Sequence, residues 1–226
     1  MPEPQAMKTP TLRDALVGLA CVIVVDALLI GQAFLMLRLE AGKSTLLAAF
    51  PVMSLVALGV PTVALLRYLK RRKISLGFNR LGAKGWHLLW EFPVAVLFAG
   101  TAASLIGPLV GFESTEKSTL NDGTSLGIML TLATYLLIGP FLEEIVFRRL
   151  LMGYLDTVAP ALVSVVVSSV IFGIAHIAPA AMIYTGFMGI ALALTTRWHK
   201  SLWAGFLVHF CNNLLCLLYT SPSPRD

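Results

Sequence analysis

Charged residues are scarce in this chain. Asp, Glu, Lys and Arg make up 13% of its 226 residues and hydrophobic residues 57%, against about 25% and 45–50% in a soluble globular domain. That imbalance excludes an ordinary solvated surface and makes lipid the main solvent. Cysteine is nearly absent as well. Cys21, Cys211 and Cys216 sit in apolar runs at spacings that fit neither a metal-ligand set nor a disulfide framework, and Cys21 and Cys211 read as packing residues. The apolar runs lack the alternation of half-buried strands. Because backbone groups in lipid must be satisfied within each segment, those runs read as helices. The net charge of +5 does not describe a nucleic-acid surface, since the bases gather in one loop, at Arg67, Lys70, Arg71, Arg72, Lys73, Arg80 and Lys84. In a membrane protein such a cluster faces anionic headgroups. No nucleic-acid partner is expected.

What the chain does have is length in its apolar runs. A bilayer core about 30 Å thick takes roughly 20 apolar residues per helix. Seven runs qualify as spans: Ala15–Leu37, Leu46–Leu69, Leu88–Val110, Leu126–Tyr154, Ala159–His176, Ala180–Thr196 and Leu202–Leu218. The fold class is therefore all-α, a polytopic transmembrane bundle of about seven helices, and residues 15–215 form one membrane domain. The polar, proline-bearing start, residues 1–14, reads as a disordered cytoplasmic segment, and the first apolar run as a retained anchor rather than a cleaved signal. With the N-terminus inside, thirteen bases fall on the inner side and three, Arg38, Lys43 and Lys117, on the outer side, the bias of a cytoplasmic N-terminus. The acids Glu113, Glu116 and Asp122 fall outside. Cys216 to Asp226, CLLYTSPSPRD, reads as a translated sequencing adapter. On that reading the genuine chain continues differently after about Leu215, with an eighth helix.

Polar groups within the runs carry the functional signal, because an ionised side chain in a spanning helix costs roughly 2.5–3.5 kcal/mol on insertion scales. In GPFLEEIVFRRLL, Glu144 and Arg148 stand i,i+4 with the acid N-terminal, the favourable orientation for a helical ion pair. Glu143 points about 100° away, which leaves it for chemistry. In VIFGIAH, Phe172 and His176 share a face of the fifth run. In FLVHFCNN, His209 and Asn213 share a face of the seventh. Asp26 in the first run is a further acid, expected to hydrogen-bond a neighbouring helix. His87, Glu91 and His199 look interfacial. Depth poses a difficulty: at 1.5 Å per residue Glu143 lies roughly 18–20 Å from the loop near Asp156, and His176 roughly 26 Å from it.

These three groups, in this order, resemble the motifs EExxxR, FxxxH and HxxxN/D of the CAAX-protease and bacteriocin-processing (CPBP, Abi) family of intramembrane glutamic endopeptidases, which includes the type II CAAX prenyl endopeptidases. The resemblance covers about Leu126 to Leu215. Arg149 departs from it, standing where members often have glycine, and is expected to alter the helix exit rather than the catalytic core. The resemblance implies a metal-independent peptidase with no cofactor. Peptide hydrolysis needs a base for water and donors for the oxyanion. On that basis Glu143 is expected to be the base, His176 to hold and polarise the water, and His209 and Asn213 to donate to the oxyanion. Glu144, Arg148 and Phe172 support them. The expected substrate is a peptide or protein, membrane-associated or prenylated, and the expected location a prokaryotic plasma membrane.

Two alternatives remain open at this point. Glu143, His176 and His209 could supply the three protein ligands of a catalytic zinc, although HExxH is absent and Asn213 is a poor ligand. The chain could instead be a non-catalytic bacteriocin self-immunity or scaffold protein, against which the insertion cost of so many polar groups argues. A small-solute transporter would carry paired half-sequence repeats, and none is visible.

Overall fold

In the computed structural model the described residues are 8–38, 43–110 and 124–220. They form seven helical rods and, among the described residues, no strand. We number them α1 (Leu12–Arg38), α2 (Lys43–Arg72), α3 (Leu88–Ile106), α4 (Ser125–Val158), α5 (Ala161–Ile174), α6 (Pro179–His199) and α7 (Leu202–Thr220). The expected all-α bundle is borne out, with rod ends within a few residues of the apolar runs. Residues 1–7, the acids Glu113, Glu116 and Asp122, and the end of the suspected adapter tail, 221–226, lie outside the described residues; residues 216–220 continue α7.

The outward faces are lipid-like. Leu89, Leu97, Leu109, Leu162 and Leu218 are among many large aliphatic side chains left exposed, as an integral membrane protein requires. Four rods are long and apolar enough to cross a bilayer: α1, α2, α3 with its flanking turns, and α4. By contrast α5 has only 14 residues, about 21 Å of rise. It starts after the Ala159–Pro160 break, because proline lacks the amide that a continuing helix needs, and it stops in a turn at Ala175–Ala178, where Ile177 takes a positive φ of 59°. That short rod also removes the depth difficulty. Glu143 precedes the end of α4 by fifteen residues and His176 follows the start of α5 by fifteen, about 22–23 Å for each.

The packing centres on α4 and α6. The second half of α4 lies against α1, α5 and α7, and its first half against α2, while α6 packs on α3, α5 and α7. Close approach is achieved through small residues, as in membrane bundles generally: a Cβ on Gly173 would lie 2.7 Å from the Met182 carbonyl oxygen. The core runs through Val22, Leu58, Ile145, Phe147, Phe172 and Leu192.

Two details of the fold bear on the site. First, α4 is not a uniform α-helix. It widens to π-helical turns at Ala133–Ile138 and Glu144–Leu151, on either side of the short regular segment Gly139–Glu143. Pro140 sits in that segment and cannot donate to the preceding turn. Second, the loop after α2 is tied to the bundle. Leu202 N donates to Gly77 O at 2.9 Å and Asn79 Nδ2 to Lys200 O at 2.9 Å, and Phe78 stacks on Phe141 at 5.1 Å. Arg149 contributes here, donating Nε to Ser75 O at 2.5 Å. The residue that departs from the family motif thus fastens a loop, as its expected role at the helix exit allows.

Candidate active site

Glu143 closes the regular segment of α4, with its side chain 28% exposed to a cavity of about 560 Å³ that His176, Tyr184, His209, Asn212 and Asn213 also line. Residues distant in sequence thus meet in one place. The imidazole of His209 bridges the two adjacent glutamates. Nδ1 donates to Glu144 Oε1 at 3.1 Å, and Nε2 lies 3.5 Å from Glu143 Oε2. A carboxylate can only accept, so the Nδ1 contact fixes both the ring's orientation and its tautomer on that side.

Glu144 also faces Arg148, as the i,i+4 spacing predicts, but loosely. Arg148 Nε is 3.7 Å from Glu144 Oε2, and both side chains are fully buried. Among the described residues neither Glu144 Oε2 nor any guanidinium nitrogen of Arg148 has a hydrogen-bond partner. The guanidinium instead lies 4.4 Å over the ring of Phe172, a cation–π contact. Arg148 thus lies completely buried beside the site.

Phe172 is the platform of the site. It is 1% exposed, and its ring meets His176 at 4.8 Å and His209 at 5.7 Å. His176 does not continue α5. It lies in the turn beyond Ile174, where its backbone N donates to Gly173 O at 3.0 Å and its Nδ1 donates to Phe172 O at 2.9 Å. A carbonyl can only accept, so Nδ1 carries a proton.

Asn213 lines the cavity, and its Nδ2 donates to Tyr135 O, in the first π-helical stretch, at 3.0 Å. Its Oδ1 stands 3.5 Å from Asn212 Nδ2, and Asn212 Oδ1 accepts from Tyr184 OH at 2.5 Å. One of the two Nδ2 hydrogens of Asn213 is therefore committed to the backbone. Tyr184 and Asn212 were not singled out from the sequence. The doubled asparagine of FLVHFCNN could have flagged Asn212, whereas no spacing signal marks Tyr184.

One further reading gains detail and another changes. Glu91 and His199, both near helix ends, pair at 3.0 Å with side chains 11% and 1% exposed, tying α3 to the end of α6. Asp26 makes no hydrogen bond to a neighbouring helix among the described residues; it faces Glu143 instead. Among the described residues no three imidazole, carboxylate or thiol groups converge closely enough to hold a metal ion.

The rods, their apolar exteriors and this polar cavity define a class, a helical membrane protein with ionisable side chains gathered around a cavity inside the bundle. Comparison with known proteins makes the class specific. The family model described as type II CAAX prenyl endopeptidase Rce1-like matches residues 125–215. A protein of Bacillus subtilis (strain 168) named "Putative membrane peptidase YdiL" is 26% identical over 173 residues, covering 74% of this chain and 69% of its own length. No solved structure matches to significance. The resemblance read from the three motifs is borne out over residues 125–215, where the chain is similar to the type II CAAX prenyl endopeptidases, and the two matches together support a CAAX-like membrane protease.

Proposed function

We propose that the chain is a metal-independent intramembrane endopeptidase in which Glu143 is the general base. The observation that supports this most is the bridge from Glu144 through His209 to Glu143 on the wall of a cavity shared with His176. Glu143 takes a proton from water as the water oxygen attacks the peptide carbonyl carbon. His176, with Nδ1 spent on Phe172 O, offers Nε2 to the same water. As the carbonyl oxygen gains charge, the uncommitted Nδ2 hydrogen of Asn213 and, from the doubly protonated ring, His209 Nε2–H donate to it. Such donors are worth most where water is excluded. Glu144, Arg148 and Phe172 hold the two imidazoles in place. The proton on Glu143 then passes to the leaving amine.

The substrate on this reading is a peptide segment at or in the membrane, with prenylated tails and bacteriocin-like precursors as classes to try. The N-terminus faces the cytoplasm of a prokaryotic plasma membrane, so a Lys8→Cys variant should resist impermeant thiol reagents in intact cells; labelling there would reverse the topology. The decisive experiment is cleavage of a peptide library by purified protein. Glu143→Gln should lower hydrolysis by about 10²–10⁴-fold, the usual range for a lost acid–base group, with membrane insertion unchanged, and a chelator should have no effect on wild type. Full activity in Glu143→Gln excludes this base, and chelator inhibition reversed by zinc replaces the mechanism with a metal-dependent one.

A further inference from the structure

Asp26 is an acid that the packing does not account for. It lies on α1 in a half-buried position, and among the described residues no hydrogen bond or cation satisfies its carboxylate. The lateral packing sets its depth. Gly18 of α1 seats against Val146 and Leu150 of the antiparallel α4, and two turns further along α1 bring Asp26 to the level of Glu143. There the two carboxylates border one and the same cavity. Between them lies a second cavity of about 230 Å³, bordered by Asp26, Glu143 and His176 and otherwise by apolar side chains such as Val22, Ile30 and Phe147. Leu29, Glu143 and His176 border the large cavity too. Glu143 and His176 thus stand between two chambers, one reaching Tyr184, Asn212 and Asn213, the other reaching Asp26.

A carboxylate so placed needs donors. Among the described residues the charged and titratable groups lining its chamber are Asp26, Glu143 and His176, so no lysine or arginine supplies them. A headgroup is too remote, with Asp26 fourteen residues into α1, about 21 Å along the axis. Water fits: one molecule needs roughly 10–15 Å³ of such volume and two to four polar partners.

We propose that Asp26 holds the hydrolytic water, and that the small chamber delivers this water to Glu143 from the side opposite the peptide. One O–H of the water donates to Asp26 and the other to Glu143, which directs the remaining lone pairs toward the large cavity. In the step itself the O–H bond facing Glu143 breaks, with its proton going to the Glu143 carboxylate. The water oxygen bonds to the peptide carbonyl carbon, and the carbonyl π electrons move onto the oxyanion. The second O–H stays on Asp26. The proposal rests on Glu143 being the base.

The test uses purified full chain and a cleavable peptide. Asp26→Leu should lower kcat about 10–100-fold, the scale of a lost positioning contact, with KM unchanged because Asp26 does not line the large cavity. Asp26→Asn, whose amide oxygen still accepts from water, should recover most of kcat. Separately, Asp26→Cys should react with a small hydrophilic methanethiosulfonate, a readout that needs no catalysis. An unchanged kcat in Asp26→Leu, a raised KM in place of a lowered kcat, an Asp26→Asn variant as slow as Asp26→Leu, or a thiol shielded from the reagent would each overturn the proposal. If Glu143→Gln stays active while Asp26→Cys is labelled, the base assignment fails and the hydrated chamber stands.

Discussion

Two buried carboxylate–arginine pairs in this bundle are built in opposite ways. At the start of α1, Asp14 accepts five hydrogen bonds: from Thr11 N and Oγ1, Tyr68 OH, and Arg72 Nε and Nη2, all between 2.6 and 3.3 Å. Its partner Arg72 keeps 34% of its side chain exposed. In the middle of α4, Glu144 and Arg148 are both fully buried, 3.7 Å apart, and short of partners. Desolvation of such ions costs several kcal/mol each, and a contact beyond about 3.2 Å makes no good hydrogen bond to offset it. The saturated pair fastens α1 to α2. The unsaturated one lies against the candidate site, where an imidazole takes up one carboxylate oxygen and an aromatic face takes up the guanidinium. Buried polarity that is fully paired serves architecture, and polarity left partly unpaired marks the place where charge is meant to interact with something else.

The sharpest way to break this comparison is to remove one ion of the loose pair. Arg148→Met strands Glu144 in the core and should cost about 3–5 kcal/mol, read as a large drop in thermal stability in detergent, with hydrolysis lost. Adding Glu144→Leu should restore most of the stability, since a buried pair replaced by apolar residues is often neutral, yet activity should stay absent because His209 Nδ1 loses its acceptor. Recovery of activity in the double variant would show that Glu144 does not orient the imidazole. A smaller effect is expected from Gly205→Ala, whose new Cβ would crowd Thr196 Oγ1 and fall 2.6 Å from Glu144 Oε2. The forced shift of that carboxylate should lower kcat about 10-fold or more while the protein stays folded. Smallest of all, Asp14→Asn keeps an acceptor for either Thr11 or Tyr68, which use different carboxylate oxygens, and should lower Tm by about 2–4 °C, with activity per inserted molecule unchanged. An Asp14→Asn enzyme that is stable but inactive would undo the division between the two pairs.

The rods were legible because lipid enforces continuous apolar runs and helical hydrogen bonding, so composition alone marks them. The site's members were legible because charged groups in such runs stand out; Glu143, Glu144, Arg148, His176, His209 and Asn213 all met this test and all lie at or beside the cavity. Less visible was how each is engaged. Glu144 looks committed to Arg148 by spacing, yet its hydrogen bond goes to His209, 65 residues away, a tertiary fact that no i,i+4 rule contains. His176 looks helical, yet it sits in a turn, because a 14-residue apolar stretch reads the same whether or not the helix continues. Asp26 and Tyr184 acquire meaning only from what α1 and α6 are packed against.

The widened turns of α4 set an angular phase. Each residue of an ordinary helix advances by about 100°, whereas the π-helical stretch Glu144–Leu151 winds more slowly. Deleting a single residue there would let the rod tighten to regular α geometry, with Glu143 and Arg148 then facing different neighbours, so the wide turns are in effect a clutch that holds the first half of the rod in register with α2 and the second half with α1. Lineages of this chain should tolerate changes of side chain along that stretch far better than changes of its length.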